Sequence, residues 1–281
     1  MAASQRVNSA VAFIVGPGHS GSTLLGLMLG THPSVFFAGE AQKSLLAGVP
    51  GVPEWKAHCR RCGPGCPVWG GVRPPGPGDR GLYDVLARRS GRPVVVDSSK
   101  DADWSWHQAA GLGGVVPAVL IVLARDGRAV VNSWRRKYPD RSVRDHTADW
   151  AARMRDAEAL AARWHGPVCR VHYEDLATRP EPVLRRVCAA LGLDFRPEMS
   201  APWHGEHHPL SGNAGTWSLL ARAAPPPGNP DRPGPDLSSA AYYADHPADV
   251  VLDLRWKREM SAAALAEFEE VGGETNVRYA R

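Results

Sequence analysis

Apolar positions along the chain follow two different periods. Short, largely apolar stretches at residues 11–15, 93–97, 118–123 and 168–173 are rich in β-branched residues and closed by turn residues, which reads as strands covered on both faces. Between them the spacing becomes helical. Leu24, Leu25, Met28 and Leu29 recur at helical intervals until Gly30 and Pro33 end the run. Val143, Thr147, Trp150, Ala151, Met154, Ala157, Ala161 and Trp164 share one face of a packing helix that Gly166-Pro167 stops. Val183, Leu184, Val187, Cys188 and Leu191 stripe another, opened by a Thr178 and Glu181 capping box with Pro180 in its first turn and closed by Gly192. A final amphipathic helix is expected around residues 261–271, preceded by Trp256 and Lys257. Strands alternating with helices predict an α/β fold, a three-layer αβα arrangement around a mainly parallel sheet.

The first strand leads into Gly16-Pro17-Gly18-His19-Ser20-Gly21-Ser22-Thr23 and then a helix. Strand, glycine loop, helix is the arrangement of a phosphate cradle, because backbone N–H groups and the helix N-terminus converge on one point. Gly16, Gly21 and Thr23 fit the ATP-binding template G-x-x-x-x-G-K-[ST], but Ser22 stands where its lysine should be, so a γ-phosphate with magnesium is poorly provided for. The alternative is an ordinary strand-to-helix turn.

Composition narrows the partners. The chain has 281 residues and a formal net charge of +4, with no basic run interleaved with aromatics, so a small anionic ligand is implied and a nucleic-acid polymer is not. One domain spanning 1–281 is expected, with a cysteine-containing insertion about 55–80, a proline and glycine linker at 73–81 and an irregular proline-rich cover about 200–240. The first eight residues lack the pattern of a secretion signal and no apolar run is long enough to cross a bilayer, so a cytoplasmic protein with no membrane partner is expected. Five cysteines argue against a disulfide framework. His58 with Cys59, Cys62 and Cys66 could supply four zinc ligands. Structural zinc sites usually separate two ligand pairs by a longer loop, however, so the spacing reads instead as a compact turn with buried or free thiols. His204, His207 and His208 lack helical ligand spacing and read as loop histidines or acceptor contacts. No metal is expected.

The loop at 18–23 resembles the 5′-phosphosulfate loop of sulfotransferases that use 3′-phosphoadenosine 5′-phosphosulfate (PAPS). In these a cationic residue precedes a Ser-Gly-[Ser/Thr]-[Ser/Thr] run, and here His19 takes the cationic place before Ser20-Gly21-Ser22-Thr23. The resemblance continues downstream. Arg125, at the end of a strand, and Ser133, on the next helix, are similar to the 3′-phosphate motif, with a guanidinium fork and a hydroxyl donor suited to a dianion. Gly39-Glu40 looks like the position of the base that serves the acceptor hydroxyl, the alternative being a solvated glutamate at a helix start. Asp97-Ser98-Ser99-Lys100 resembles the D-S-S-K of bacterial sulfotransferases, and so does the cysteine insertion ending in Cys66-Pro67-Val68-Trp69. Lys100 could neutralise charge at the transferring group or cap the following helix at the surface. Trp104 and Trp106 could line an acceptor pocket or belong to the core. The series from Tyr173 to Leu193 is also family-like, with Tyr173 a cofactor neighbour, and residues 208–213, including Gly212 and Asn213, match a loop that covers the nucleotide.

The resemblance implies a P-loop-like sulfotransferase fold and transfer of a sulfuryl group from PAPS, leaving 3′-phosphoadenosine 5′-phosphate (PAP), to a hydroxyl of a small-molecule acceptor such as a specialised or glycosylated metabolite. Glu40, His19 and Lys100 are then the catalytic candidates. Gly18, His19, Ser20, Gly21, Ser22, Thr23, Arg125, Ser133, Tyr173, Gly212 and Asn213 are the donor-binding candidates. The competing readings are a kinase or NTPase with a degenerate loop and a non-catalytic PAP-binding protein.

Overall fold

Strand β1 (Ala10–Val15) runs through the middle of the molecule with every residue buried. It has parallel neighbours on both edges, β3 (Val94–Lys100) in register from Ala10↔Val94 and β4 (Ala118–Ala124) in register from Val11↔Ala118. β2 (Val35–Gly39) lies outside β3 and β5 (Val168–His172) outside β4, giving a five-stranded parallel sheet in the order β2-β3-β1-β4-β5. The computed structural model describes residues 6–53, 56–72, 81–213, 215–216 and 250–281. The linker at 73–80 and the proline-rich run at 225–235 lie outside the described residues.

Alternation along β1 explains its unbroken apolar run. Val11, Phe13 and Val15 enter a core with Tyr83, Trp104, Trp150 and Phe268, while Ala10, Ala12 and Ile14 enter a second core with Leu25, Met28, Val183 and Val187. Both faces of β1 are therefore covered, and every one of its positions is apolar. In chain order the helices are α1 (Ser22–Gly30) after β1, α2 (Leu82–Ser90) before β3 and α3 (Ala102–Gly111) after it. α4 (Gly127–Lys137) and α5 (Val143–Ala162) follow β4, α6 (Tyr173–Thr178) and α7 (Pro180–Ala190) follow β5, and α8 (Trp256–Glu259) and α9 (Ala262–Asn276) come last. α1 and α7 cover one face of the sheet; α2 to α5 and α9 cover the other. The three-layer αβα expectation holds.

Three local expectations are corrected. β3 does not end at Asp97, because Val15 still pairs with Lys100 across a register shift. The capping box at Thr178 and Glu181 does not form: Arg179 is the N-cap of α7 with no side-chain cap, and Thr178 Oγ1 donates instead to the Glu174 carbonyl at 2.7 Å, closing α6. The last helix runs on to Asn276, through Gly272 and Gly273. Gly272 faces α5 so closely that a Cβ there would stand 2.5 Å from Thr147 Cγ2, so packing requires the glycine that local propensity reads as a stop. No helix among the described residues is long and apolar enough to cross a membrane.

Candidate active site

All five strands point their carboxyl ends to one edge of the sheet. The connection leaving β1 passes over one face through α1, and that leaving β4 passes over the other through α4, so the two loops part and leave a crevice between β1 and β4. The glycine loop lines it. Gly16 has φ 130°, and a Cβ there would overlap the Leu123 carbonyl oxygen; Gly21 has φ 90°, and a Cβ would lie 2.7 Å from Tyr173 Cδ2. Gly21 is the N-cap of α1 and provides no side-chain cap, so the first-turn N–H groups of α1 open toward the crevice. Ser20 Oγ is buried without a partner among the described residues. His19 also takes the left-handed conformation, at φ 67°.

The two distant motifs meet through His19. Its Nδ1 lies 2.7 Å from Ser133 Oγ, and its carbonyl accepts from Arg125 Nη1 at 2.9 Å. Arg125 Cζ stacks 4.3 Å from the centre of the Tyr173 ring. The other end of its fork meets Asp253, with Nη2 donating to the backbone carbonyl at 3.0 Å and lying 3.3 Å from Oδ2. Asp253 also accepts from Arg255 Nε at 2.8 Å. Burial pushes the Asp253 carboxyl up, but Arg255 and Arg125 outweigh it and hold the group well below the ordinary carboxylate range. Arg125 and Ser133 thus share a recess with Arg136, Asp253 and Arg255, where one carboxylate already binds two guanidinium groups.

Glu40 follows directly on β2 and Lys100 ends β3, the neighbouring strand. Lys100 Nζ donates to Glu40 Oε1 at 2.6 Å, and Lys43 Nζ reaches Oε2 at 2.5 Å. Burial pushes the Glu40 carboxyl up, yet Lys100 and Lys43 prevail and lower it, so it is ionised at neutral pH. Lys100, at φ 66°, is pulled down by burial against the restoring pull of Glu40. Lys43 also donates to Ser211 Oγ at 2.7 Å, tying in the loop that carries Gly212 and Asn213. That loop is laid along the edge of β2: Leu210 N donates to Ala38 O and Glu40 N to Leu210 O, both at 2.9 Å. Asn213 N reaches Thr23 Oγ1 at 2.9 Å.

Together these elements bound a cleft of about 1240 Å³ lined by Gly18, His19, Ser22, Thr23, Glu40, Lys100, Ser133, Gly212 and Asn213. Nine lysines and arginines against three carboxylates line it, an environment for an anion. Ser20, Gly21, Arg125 and Tyr173 stand behind this lining, with Tyr173 packed between Gly21 and Arg125. His19 does not carry the charge its place implied. Burial, with Lys137, Arg125 and Lys100 adding to it, lowers the imidazole to about 4, so it is neutral at pH 7 and acts through hydrogen bonds. The nearby positive charge comes from Lys100 and from Lys137 at the end of α4. Trp104 and Trp106 belong to the core: Trp104 Nε1 donates to the buried Asp97 Oδ2 at 2.8 Å, and Trp106 packs on Trp164. Lys43, Asp253 and Arg255 escaped the sequence reading. Lys43 had a signal, three residues beyond Glu40 at the start of a helical turn, whereas Arg255 and Asp253 are joined to Arg125 only by the fold.

Residues 116–197, from the approach to β4 to the turn beyond α7, match the model of the Sulfotransferase family. This stretch is similar to sulfotransferases. It contains Arg125, Ser133 and Tyr173, and it ends before the loop at 208–213. Two solved structures share the fold over nearly their full lengths. The sulfotransferase domain from the Synechococcus PCC 7002 olefin synthase is 19% identical with a TM-score of 0.58, covering 98% of this chain and 97% of that one. The sulfotransferase domain from the curacin biosynthetic pathway is 17% identical with a TM-score of 0.58, covering 98% and 99%. No curated protein matches the chain. The sulfotransferase resemblance and the expected fold are both borne out.

Proposed function

We propose that the chain transfers a sulfuryl group from PAPS to a hydroxyl of a small-molecule acceptor. The observation that carries this reading is the convergence, on one strongly cationic cleft, of an uncapped helix N-terminus, the Arg125 and Ser133 recess, and a carboxylate held between two lysines. The residues fit such a donor. Ser20 Oγ and Arg125 Nε are buried without partners among the described residues, and Ser22 in place of a lysine leaves the loop N–H groups and hydroxyls to serve the 5′ end. The Arg125 fork, with Arg255 and Ser133, suits the 3′-phosphate, which takes over the guanidinium partners that Asp253 now holds.

In the transfer the acceptor oxygen forms a bond to sulfur, the bond from sulfur to the bridging phosphate oxygen breaks, and its electron pair leaves with PAP. Glu40 takes the acceptor proton. Lys100 stands beside Glu40 and can turn its ammonium to the bridging oxygen as charge grows there, while the α1 N-terminus holds the departing phosphate. Lys43 keeps Glu40 ionised until the proton arrives. An acceptor enters along the side lined by Glu40, Lys43 and Asn213, which the 208–213 loop shapes.

Calorimetric titration with PAP, beside ATP and magnesium, on wild type and Arg125→Ala tests the reading. Tight metal-independent PAP binding that weakens in the variant is expected. Losing charge-assisted hydrogen bonds worth about 1.5 to 3 kcal/mol each predicts a loss of at least about tenfold in affinity. Preference for magnesium ATP, or an indifferent Arg125→Ala, overturns it. PAP binding without transfer of labelled sulfate from PAPS to any member of a hydroxyl-acceptor panel would assign the chain a binding role only.

A further inference from the structure

The segment after β2 carries chemistry that sulfuryl transfer does not use. Cys59-Arg60-Arg61-Cys62-Gly63 turns tightly, with Gly63 at φ 70° and its N–H donating to the Cys59 carbonyl at 2.9 Å. Cys66 follows one further turn on. The fold brings His208, 149 residues beyond Cys59, onto these thiols. His208 Nδ1 lies 3.8 Å from Cys59 Sγ, 3.3 Å from Cys62 Sγ and 3.6 Å from Cys66 Sγ, and all four donor atoms fall within 4.8 Å of one another. Tetrahedral zinc with bonds of about 2.3 Å to sulfur and about 2.0 Å to nitrogen sets its donors about 3.5 to 3.8 Å apart, so the three histidine-to-sulfur distances already match a ligand shell and the sulfurs need close by about 1 Å at most. His58, the histidine adjacent in sequence, is not among the four.

The surroundings suit a metal. Glu206 Oε1 lies 3.2 Å from His208 Nε2, which engages that nitrogen and leaves Nδ1 turned to the thiols, the carboxylate and histidine pairing that orients zinc ligands. Trp69 Nε1 fixes the His208 carbonyl at 2.8 Å, so the histidine cannot easily swing away. Three sulfurs and one imidazole, with no carboxylate among the donors, select zinc over magnesium or calcium. We propose that Cys59, Cys62, Cys66 and His208 bind one structural zinc ion. The ion enters as the three thiol protons leave to solvent, and four protein ligands leave no open position for catalysis.

Its purpose is visible in the backbone. Arg60 N donates to Pro209 O at 3.0 Å, and Leu210, two residues beyond the ligand, is the residue clamped to Ala38 and Glu40. The zinc therefore clips the cysteine segment to the loop bearing Ser211, Gly212 and Asn213, and sets the rim of the cleft without touching the reacting groups.

Metal analysis of the full chain, purified without chelator or a histidine tag, tests this independently of any transferase activity. The expected result is one zinc per chain, retained in Cys169→Ser and lost in Cys62→Ser and His208→Ala. Cobalt replacement should give the intense visible d–d bands of a tetrahedral site together with thiolate charge transfer, a signature readable on wild type even where the variants fold poorly. Stripping with a chelator should lower Tm and expose three thiols to a thiol reagent. A folded wild-type chain that carries no zinc and takes up no cobalt, or a disulfide among the three cysteines in the native protein, overturns the proposal.

Discussion

Glu40 sits between opposing forces, and that makes its behaviour readable. Burial pushes its carboxyl up, but Lys100 at 2.6 Å and Lys43 at 2.5 Å prevail and lower it. The folded carboxyl is lowered, so its stabilising contribution is complete above the unfolded glutamate range and is lost as pH falls through the folded value. For the same reason the acid limb of kcat/KM should lie below the ordinary glutamate range. In Lys100→Met burial gains the upper hand, and the limb should move to higher pH; a limb that stays put removes Glu40 as the base. Glu40→Gln should lower kcat by about two to four decades, as loss of a general base does. It should also tighten PAP binding, because two ammonium groups lose their internal partner. A collapsed site would weaken both. His19 offers a second titration. It is neutral with a value of about 4, and an anion bound against it must raise that value. As pH falls from 7 toward 4 the PAP affinity of wild type should therefore strengthen relative to that of His19→Gln; parallel pH profiles across that window would show that the ring never meets the anion.

The elements around the site differ in how far their sequence announced them. The strand, glycine loop and α1 were legible because each signal is local: an unbroken apolar run, glycines where φ is positive, and helical spacing after Ser22. Arg125 and Ser133, one at a strand end and one on the helix that follows, were legible through their resemblance to the 3′-phosphate motif, since the pair alone is a weak signal. α9 was cut short because Gly272 and Gly273 look like a terminus, and only contact with Thr147 and Trp150 across the α5 face explains Gly272. The Thr178 box failed because α6 claimed the hydroxyl first. The loop itself can be probed at Gly16, where positive φ and a collision with backbone coincide. Gly48 has φ 75° and open space around it, so Gly48→Ala carries the conformational cost alone, about 1 to 2 kcal/mol. Gly16→Ala adds overpacking of about 1 to 3 kcal/mol against a carbonyl that cannot move aside. Its Tm should fall further than that of Gly48→Ala by several degrees, since about 1 kcal/mol moves Tm by about 2 to 4 °C in chains of this size. Equal shifts would mean that the loop yields to Leu123 rather than pressing on it.

At the scale of the whole molecule, what the sequence hid is what the fold joins over long separations. His208 reaches Cys59 across 149 residues, and Asp253 reaches Arg125 across 128, and neither pairing leaves a local pattern. The cationic cleft is likewise a sum over remote residues. The formal charge of +4 on the chain is mild, yet nine of its lysines and arginines gather around one space with three carboxylates. Such a field acts at long range through solvent and is screened within about 8 Å at physiological salt and about 3 Å at 1 M. PAP affinity should therefore fall steadily as salt rises. Lys137, on the open lining, acts mainly through that field, so Lys137→Met should flatten the salt dependence while costing little at high salt. Arg125 is buried and holds its partners by direct contact, so Arg125→Ala should lose affinity by nearly the same factor at every salt concentration. Titrations of the three proteins across one salt series separate the two roles. If Lys137→Met keeps the wild-type slope while Arg125→Ala abolishes it, the division between a steering rim and a buried anchor is wrong, and the anion must be held on the outer lining of the cleft.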